Sequence, residues 1–256
     1  MSDTPDWSAL LAHREHRPYP LPERSWHMTM SWLDLLFAHW QLDPETLRAL
    51  LPADLELDTF EGRAWIGVVP FRMAHVGPRG LNWIPGVSAF PELNVRTYVV
   101  RGGKPGVWFF SLDATSKVAV AAARAGFHLP YFRARMRCDP REGWIDYASE
   151  RRHRGQAAGV FRGRYRGVGD TYLAAEGSLE QWLTRRYCLY AQDRRGRIRR
   201  GEIHHKPWPL RRAEAEIETC TVTEAWGVQL PPQEQQAPLL HFVERIDVVG
   251  WLPEPT

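Results

Sequence analysis

The chain has 256 residues, 44% of them hydrophobic, with 12 tryptophans, so it carries the bulky apolar content that disordered polypeptides lack and can bury a sizeable core. Its net charge of +3 defines no nucleic-acid surface, and no apolar run approaches the roughly 18 residues of a membrane span. Cys138, Cys188 and Cys220 are odd in number and widely spaced, which argues against a disulfide framework and a thiolate metal site.

The amino terminus mixes acids and bases and shows no signal-peptide run. These features predict a soluble cytoplasmic protein with no membrane or nucleic-acid partner, no cofactor and no metal. One domain is expected over 1–256, with a Pro-rich lead at 1–25 and the main body at 26–250; a homo-oligomer is left open. Two basic runs, Arg151 to Arg154 and Arg194 to Arg200, read as solvated hairpin turns, because neither has the interleaved aromatics of a single-strand platform.

In chain order, the lead contains Pro18, Pro20 and Pro22. Trp26 to Trp40 is then so evenly apolar that helix and strand cannot be separated by period; its first part is read as a buried strand. Asp43-Pro44-Glu45 starts a helix that ends near Leu51, before Pro52. Strands are predicted at Leu55 to Asp58, Arg63 to Met73, around Asn94 and Val107, and at Arg133 to Arg137, Trp144 to Ser149 and Gly159 to Tyr165. Further strands follow at Tyr187 to Ala191, Ile198 to Lys206, Arg212 to Val222 and Leu240 to Val249. Thr115 to Arg124 and Ser178 to Arg185 read as helices, the second opened by a capping box of Ser178 and Gln181. The strands do not alternate with helices as parallel units require, so the expected class is α+β, mostly antiparallel, a large curved sheet or barrel with a few peripheral helices.

The most informative stretch is FPELNVRTYVVRGGKPGVWFFSLD, from Phe90 to Asp113. As a hairpin turning at Gly102-Gly103, it puts Leu93, Val95, Thr97 and Val99 on one face and Glu92, Asn94, Arg96 and Tyr98 on the other. If Tyr98 pairs with Phe109, Arg96 faces Ser111 and Asn94 faces Asp113; a one-residue slip removes that convergence. A buried Arg96–Asp113 pair would be either a structural ion pair or a planar grip for a carboxylate or phosphate.

The phrases LLFAHWQLDPETLRALLPADLELDTFEGRAWIGVVPFRM from Leu35, FPELNVRTYV from Phe90, GVWFFSLDA from Gly106, ARAGFHLPYFRARM from Ala123, LTRRYCLY from Leu183 and HHKPWPL from His204 together resemble the YqjF-like family of uncharacterised bacterial proteins. The resemblance covers about Trp32 to Leu210. That family looks like a distant branch of the acetoacetate decarboxylase-like superfamily, which implies a cone-shaped, mostly antiparallel barrel with an internal cavity. The resemblance also implies that Glu92 corresponds loosely to an active-site glutamate of the decarboxylase. Where that enzyme has paired lysines for Schiff-base chemistry, an example of an activated amine, this chain has Ser111-Leu112-Asp113. Its three lysines, Lys104, Lys117 and Lys206, form no pair, so classical acetoacetate decarboxylase activity is not expected.

The resulting site candidates are Glu92 and His204 for acid/base catalysis, with Asn94, Arg96, Tyr98, Ser111, Asp113, Tyr131 and Tyr187 as ligand contacts. His204 and His205 are adjacent on a strand, so one of them at most faces a cavity. The expected partner is a small anionic or carbonyl-bearing molecule, undergoing acid/base lyase or enolisation chemistry; the alternatives are a non-catalytic binding or sensory protein and an interaction protein whose polar strand face meets water.

Overall fold

The computed structural model describes residues 5–81, 84 and 87–256. The strands are β1 (Met28–Leu42), β2 (Glu56–Leu57), β3 (Ala64–Pro78), β4 (Phe90–Arg101), β5 (Lys104–Ala114), β6 (Tyr131–Arg141) and β7 (Trp144–Arg151). They continue with β8 (Val160–Tyr172), β9 (Cys188–Gln192), β10 (Ile198–His204), β11 (Leu210–Cys220), β12 (Leu239–Gly250) and β13 (Glu254–Pro255). The helices are α1 (Trp7–Ala12), α2 (Pro44–Arg48), α3 (Lys117–Gly126) and α4 (Leu179–Thr184).

The strands form one 13-stranded sheet in the order β13, β10, β9, β5, β6, β7, β8, β11, β12, β1, β3, β4, β2. This order corrects the expected cone-shaped barrel. The sheet ends at β13 and β2, and β4, β5, β10 and β12 each have three neighbours through the additional pairings β10–β12 and β4–β5. The branching arises because long strands divide their length between partners. Thus β5 meets β9 through Val107 and Trp108, and β6 through Leu112 to Ala114. Both of those pairings are parallel, although the other pairings are antiparallel. The helix α3 is the crossover that lets β6 run alongside β5 in the same direction, a parallel unit that the sequence reading did not expect.

The apolar run Leu35 to Ala38 in β1 follows from burial on both faces of the sheet. Leu36, Ala38 and Trp40 join one core with Ile66, Val68, Leu93 and Val95, closed by α2 and by Ile145, Tyr147 and Phe161 of the folded-over sheet. Leu35 and Phe37 join a second core with Val69, Phe71, Leu112 and Trp208, closed by Val120 of α3. Side chains at successive positions therefore enter different cores, and each fully buried Leu or Phe stabilises by about 1.5–3 kcal/mol.

Local chemistry sets the helix starts. Asp43 accepts a hydrogen bond from the Glu45 N–H at 2.8 Å with Pro44 in the first turn, and Ser178 accepts from the Gln181 N–H at 3.2 Å. The Pro-rich lead is docked: Leu10 packs on Val249 and Trp251, and Arg17 donates to the Ile203 carbonyl at 2.7 Å. No helix among the described residues is long and apolar enough to cross a membrane.

Candidate functional site

The register of β4 against β5 decides what meets what. Tyr98 pairs with Val107, and Arg96 with Phe109. A bulge at Phe110 then shifts the ladder, so that Val95 opposes Ser111 and Leu93 opposes Asp113. Such an extra residue reverses the facing of everything beyond it on that strand. Ser111 and Asp113 consequently share the face of Leu93 and Val95, while Glu92, Asn94 and Arg96 share the opposite face with Leu112 and Phe109. The anticipated Arg96–Asp113 pair is thereby corrected.

The partner of Asp113 is Arg151 on β7. The guanidinium makes a bidentate contact, Nε to Oδ1 at 2.7 Å and Nη2 to Oδ2 at 3.1 Å, and Nη2 also reaches Ser111 Oγ at 2.9 Å. Both side chains are essentially inaccessible, and Arg151 lies over the rings of Phe132 and Trp226. Arg151 thus belongs to the core beneath the hairpin and not to a solvated turn.

Glu92, Asn94 and Arg96 open into a cavity of about 360 Å³ in the second core. They stand at alternate positions of one strand, about 7 Å apart per step. Trp32, Phe71, Phe109 and Trp208 form much of the wall. Glu92 is 1% exposed, and Tyr131 Oη donates to its Oε2 at 2.7 Å. Burial pushes the Glu92 carboxyl up to about 8, the nearby Asp113 adding to the rise and the tyrosine hydrogen bond opposing it. Near neutral pH it is mainly a carboxylic acid, able to donate as well as accept.

Arg96 is 8% exposed and has no carboxylate within ion-pair distance among the described residues. Its guanidinium lies 4.9 Å from the Phe37 ring centroid, its Nη2 is 3.5 Å from Tyr98 Oη, and its Nε is buried without a partner. Asn94 Oδ1 is likewise buried and unpartnered. The other charged wall residues are compensated: Arg186 by Asp58, and Glu202 by Lys104 at 2.8 Å, Arg200 at 3.3 Å and Arg17 at 3.4 Å. Arg96 is the exception, and an unneutralised buried cation costs several kcal/mol unless a ligand supplies the anion.

Support for Arg96 comes from behind the wall. Tyr98 Oη and His39 Nε2 are 2.6 Å apart, and burial, reinforced by Arg96, drives the His39 pKa well below its ordinary value. Gly67 makes this packing fit: a Cβ there would stand 3.0 Å from the His39 ring and 3.4 Å from Arg96 Cγ. Tyr98 is therefore a support for Arg96 and is not in the cavity wall.

Of the other candidates, Tyr131 lines the cavity, whereas His204, His205 and Tyr187 do not. His204 Nε2 is 3.1 Å from the Leu10 carbonyl and its Nδ1 3.4 Å from Arg17 Nη1; burial lowers its pKa to about 4. The ring of Tyr187 stacks on His205 at 4.7 Å. Both histidines thus bind the docked lead and neighbouring loops, which corrects the expectation that one of them faces the cavity. Lys104 is held by Glu202, and Lys117 and Lys206 are exposed; no lysine is in the wall. Among the described residues no three His, Cys, Asp or Glu side chains gather as a metal ion would need.

Sequence reading missed Arg186, Glu202 and the wall formed by α3. The small residues Ala119, Ala122 and Ala123 on one side of that helix were the available signal.

Comparisons with known proteins agree with this architecture. The chain is 48% identical to "Uncharacterized protein YqjF" of Bacillus subtilis (strain 168), over 90% of this chain and 93% of that protein. Among solved structures it is similar to the enduracididine biosynthesis enzyme MppR complexed with the condensation product of pyruvate and imidazole 4-carboxaldehyde, at TM-score 0.63 and 13% identity, covering 90% and 88% of the two chains. It is similar also to acetoacetate decarboxylase from Legionella pneumophila, at TM-score 0.56 and 13% identity, covering 93% and 92%. These two likenesses establish a shared fold. Residues 29–247 match the DUF2071 family model, "Uncharacterized conserved protein", and with the 48% identical relative this places the chain in the YqjF-like family, whose fold is similar to that of acetoacetate decarboxylase.

Proposed function

We propose that this protein binds a small carboxylate- or carbonyl-bearing organic molecule in the cavity, with Arg96 and Asn94 as the grip and Glu92 as general acid/base. The observation that carries the reading is the buried Arg96 guanidinium with no carboxylate partner; Asn94 lines the same cavity, and its amide N–H2 is the group able to donate to an anion. A guanidinium is the side chain suited to bidentate recognition of a carboxylate. The solved MppR complex with pyruvate supports a ligand of this class without identifying it.

Glu92 gives the site a reactive group. In its ionised fraction it takes a proton from a carbon next to a carbonyl, the C–H electron pair passes to the carbonyl oxygen as an enolate, and the amide N–H2 of Asn94, one step along the strand, donates to the new charge. The protonated acid then returns the proton. A purely sensory pocket needs no carboxyl poised near neutrality, so the position of Glu92 supports enolisation or lyase chemistry over binding alone. The placement of the three lysines supports a mechanism without a Schiff base.

Calorimetric titration with pyruvate and butyrate tests the grip. Arg96→Met is expected to weaken both by about 10- to 100-fold, the loss of a charge-assisted contact, while the unfolding temperature stays the same or rises, because an unpaired buried cation has been removed. Unchanged affinity in the variant overturns the proposal, as does borohydride trapping of a carbonyl ligand on any lysine.

A further inference from the structure

The charged wall groups of the cavity are buried, and its exposed wall residues are apolar. Arg96, Asn94 and Glu92 are buried, whereas the wall residues that reach solvent are Pro78, Val118 and Ala122. Met28, Met30, Val76, Ala119 and Phe127 of the wall are half-buried. Val118, on the first turn of α3, is 60% exposed. A ligand held on Arg96 and reaching past the polar groups therefore lies against methionine, valine and aromatic surface.

Size points the same way. At about 30 Å³ for each water-sized group, 360 Å³ holds roughly a dozen non-hydrogen atoms, so a pyruvate-sized acid fills about half of it and leaves the apolar half empty. A filled apolar cavity is favoured over an empty one, and unbranched methionines adapt to flexible chains.

We infer that the natural ligand class is a hydrophobic monocarboxylic acid, an acyl or aryl chain of about ten carbons, bound carboxylate first on Arg96 with its apolar body toward α3. This rests on the reading of Arg96 as an anion grip. The acyl carbons would lie along Phe109, Leu112 and Trp208, and the chain end at the gap between α3 and the end of β3.

Titration of the full chain with butyrate, hexanoate, octanoate, decanoate and octan-1-ol, followed by calorimetry and tryptophan fluorescence, tests the inference. The expected result is an affinity that rises about fourfold per methylene, the change given by about 0.8 kcal/mol, up to octanoate or decanoate and then levels off, with octan-1-ol weaker than octanoate. Ala119→Trp, which narrows the outer half from a helix surface, is expected to weaken decanoate more than butyrate. A flat series that Arg96→Met still weakens throughout overturns the chain-length inference and leaves the anion grip standing. A series that Arg96→Met leaves unchanged overturns both.

Discussion

Arg151→Met is expected to lower the unfolding free energy by about 3–5 kcal/mol, the usual effect of leaving one member of a buried ion pair without the other. Asp113 and Arg151 are both nearly inaccessible and doubly hydrogen-bonded, so the carboxyl left behind has no solvent to turn to. Removing both members should be milder: Arg151→Met with Asp113→Leu fills the same space with apolar groups, which is often neutral or stabilising. Urea unfolding of the two single variants and the double variant measures this directly. Additive losses would mean that the two side chains act independently and that the pair does not anchor β5 against β7.

Glu92→Gln is expected to stabilise the protein by roughly 3 kcal/mol at pH 7 and to change little at pH 4. The folded state holds a proton on Glu92 up to about pH 8, whereas the unfolded chain releases it near the ordinary 4.5. In that interval the folded form binds more protons, so stability falls as pH rises from about 4.5 and levels off above about 8, at about 1.4 kcal/mol per unit. Glutamine keeps an oxygen for the Tyr131 hydroxyl and has no proton to lose, so the wild type and the variant should converge at acid pH. Parallel denaturation curves at pH 4, 6 and 8.5 check this; a constant difference across that range would show that Glu92 is not held as an acid. The stabilising variant should also lose acid/base chemistry, the usual relation between a strained site and its function.

Much of the scaffold was legible because each signal was local. Asp43-Pro44-Glu45 and Ser178 with Gln181 begin helices as their hydrogen bonds require, and the alternation of Glu92, Asn94 and Arg96 is a property of one strand. What escaped was non-local. The bulge at Phe110 leaves no mark in composition, yet it turns Ser111 and Asp113 away from Arg96. Arg151 sits in an arginine-rich run that reads as a solvated turn, and only the folding of β7 over the hairpin takes it out of water. The branching at β5 and β12 depends on which half of a long strand meets which neighbour, so the strand pattern left a curved sheet or a barrel open, and the closed barrel came from the family resemblance. Likewise the His204 ring and the His205 carbonyl hold the amino-terminal lead, through Leu10 and His16, contacts separated by 194 and 189 residues.

The central claim is that an unpaired buried guanidinium and a neutral carboxylic acid share one cavity, and proton uptake on binding reports both. A monocarboxylate titrated at pH 8 into the full chain, in buffers of different ionisation enthalpy, should bind with uptake of about half a proton. Glu92, half ionised before binding because its carboxyl sits at about 8, becomes protonated as a second negative charge enters the same buried cavity. Glu92→Gln should bind with no uptake. Binding to the wild type without proton uptake, or no binding at all, contradicts the account.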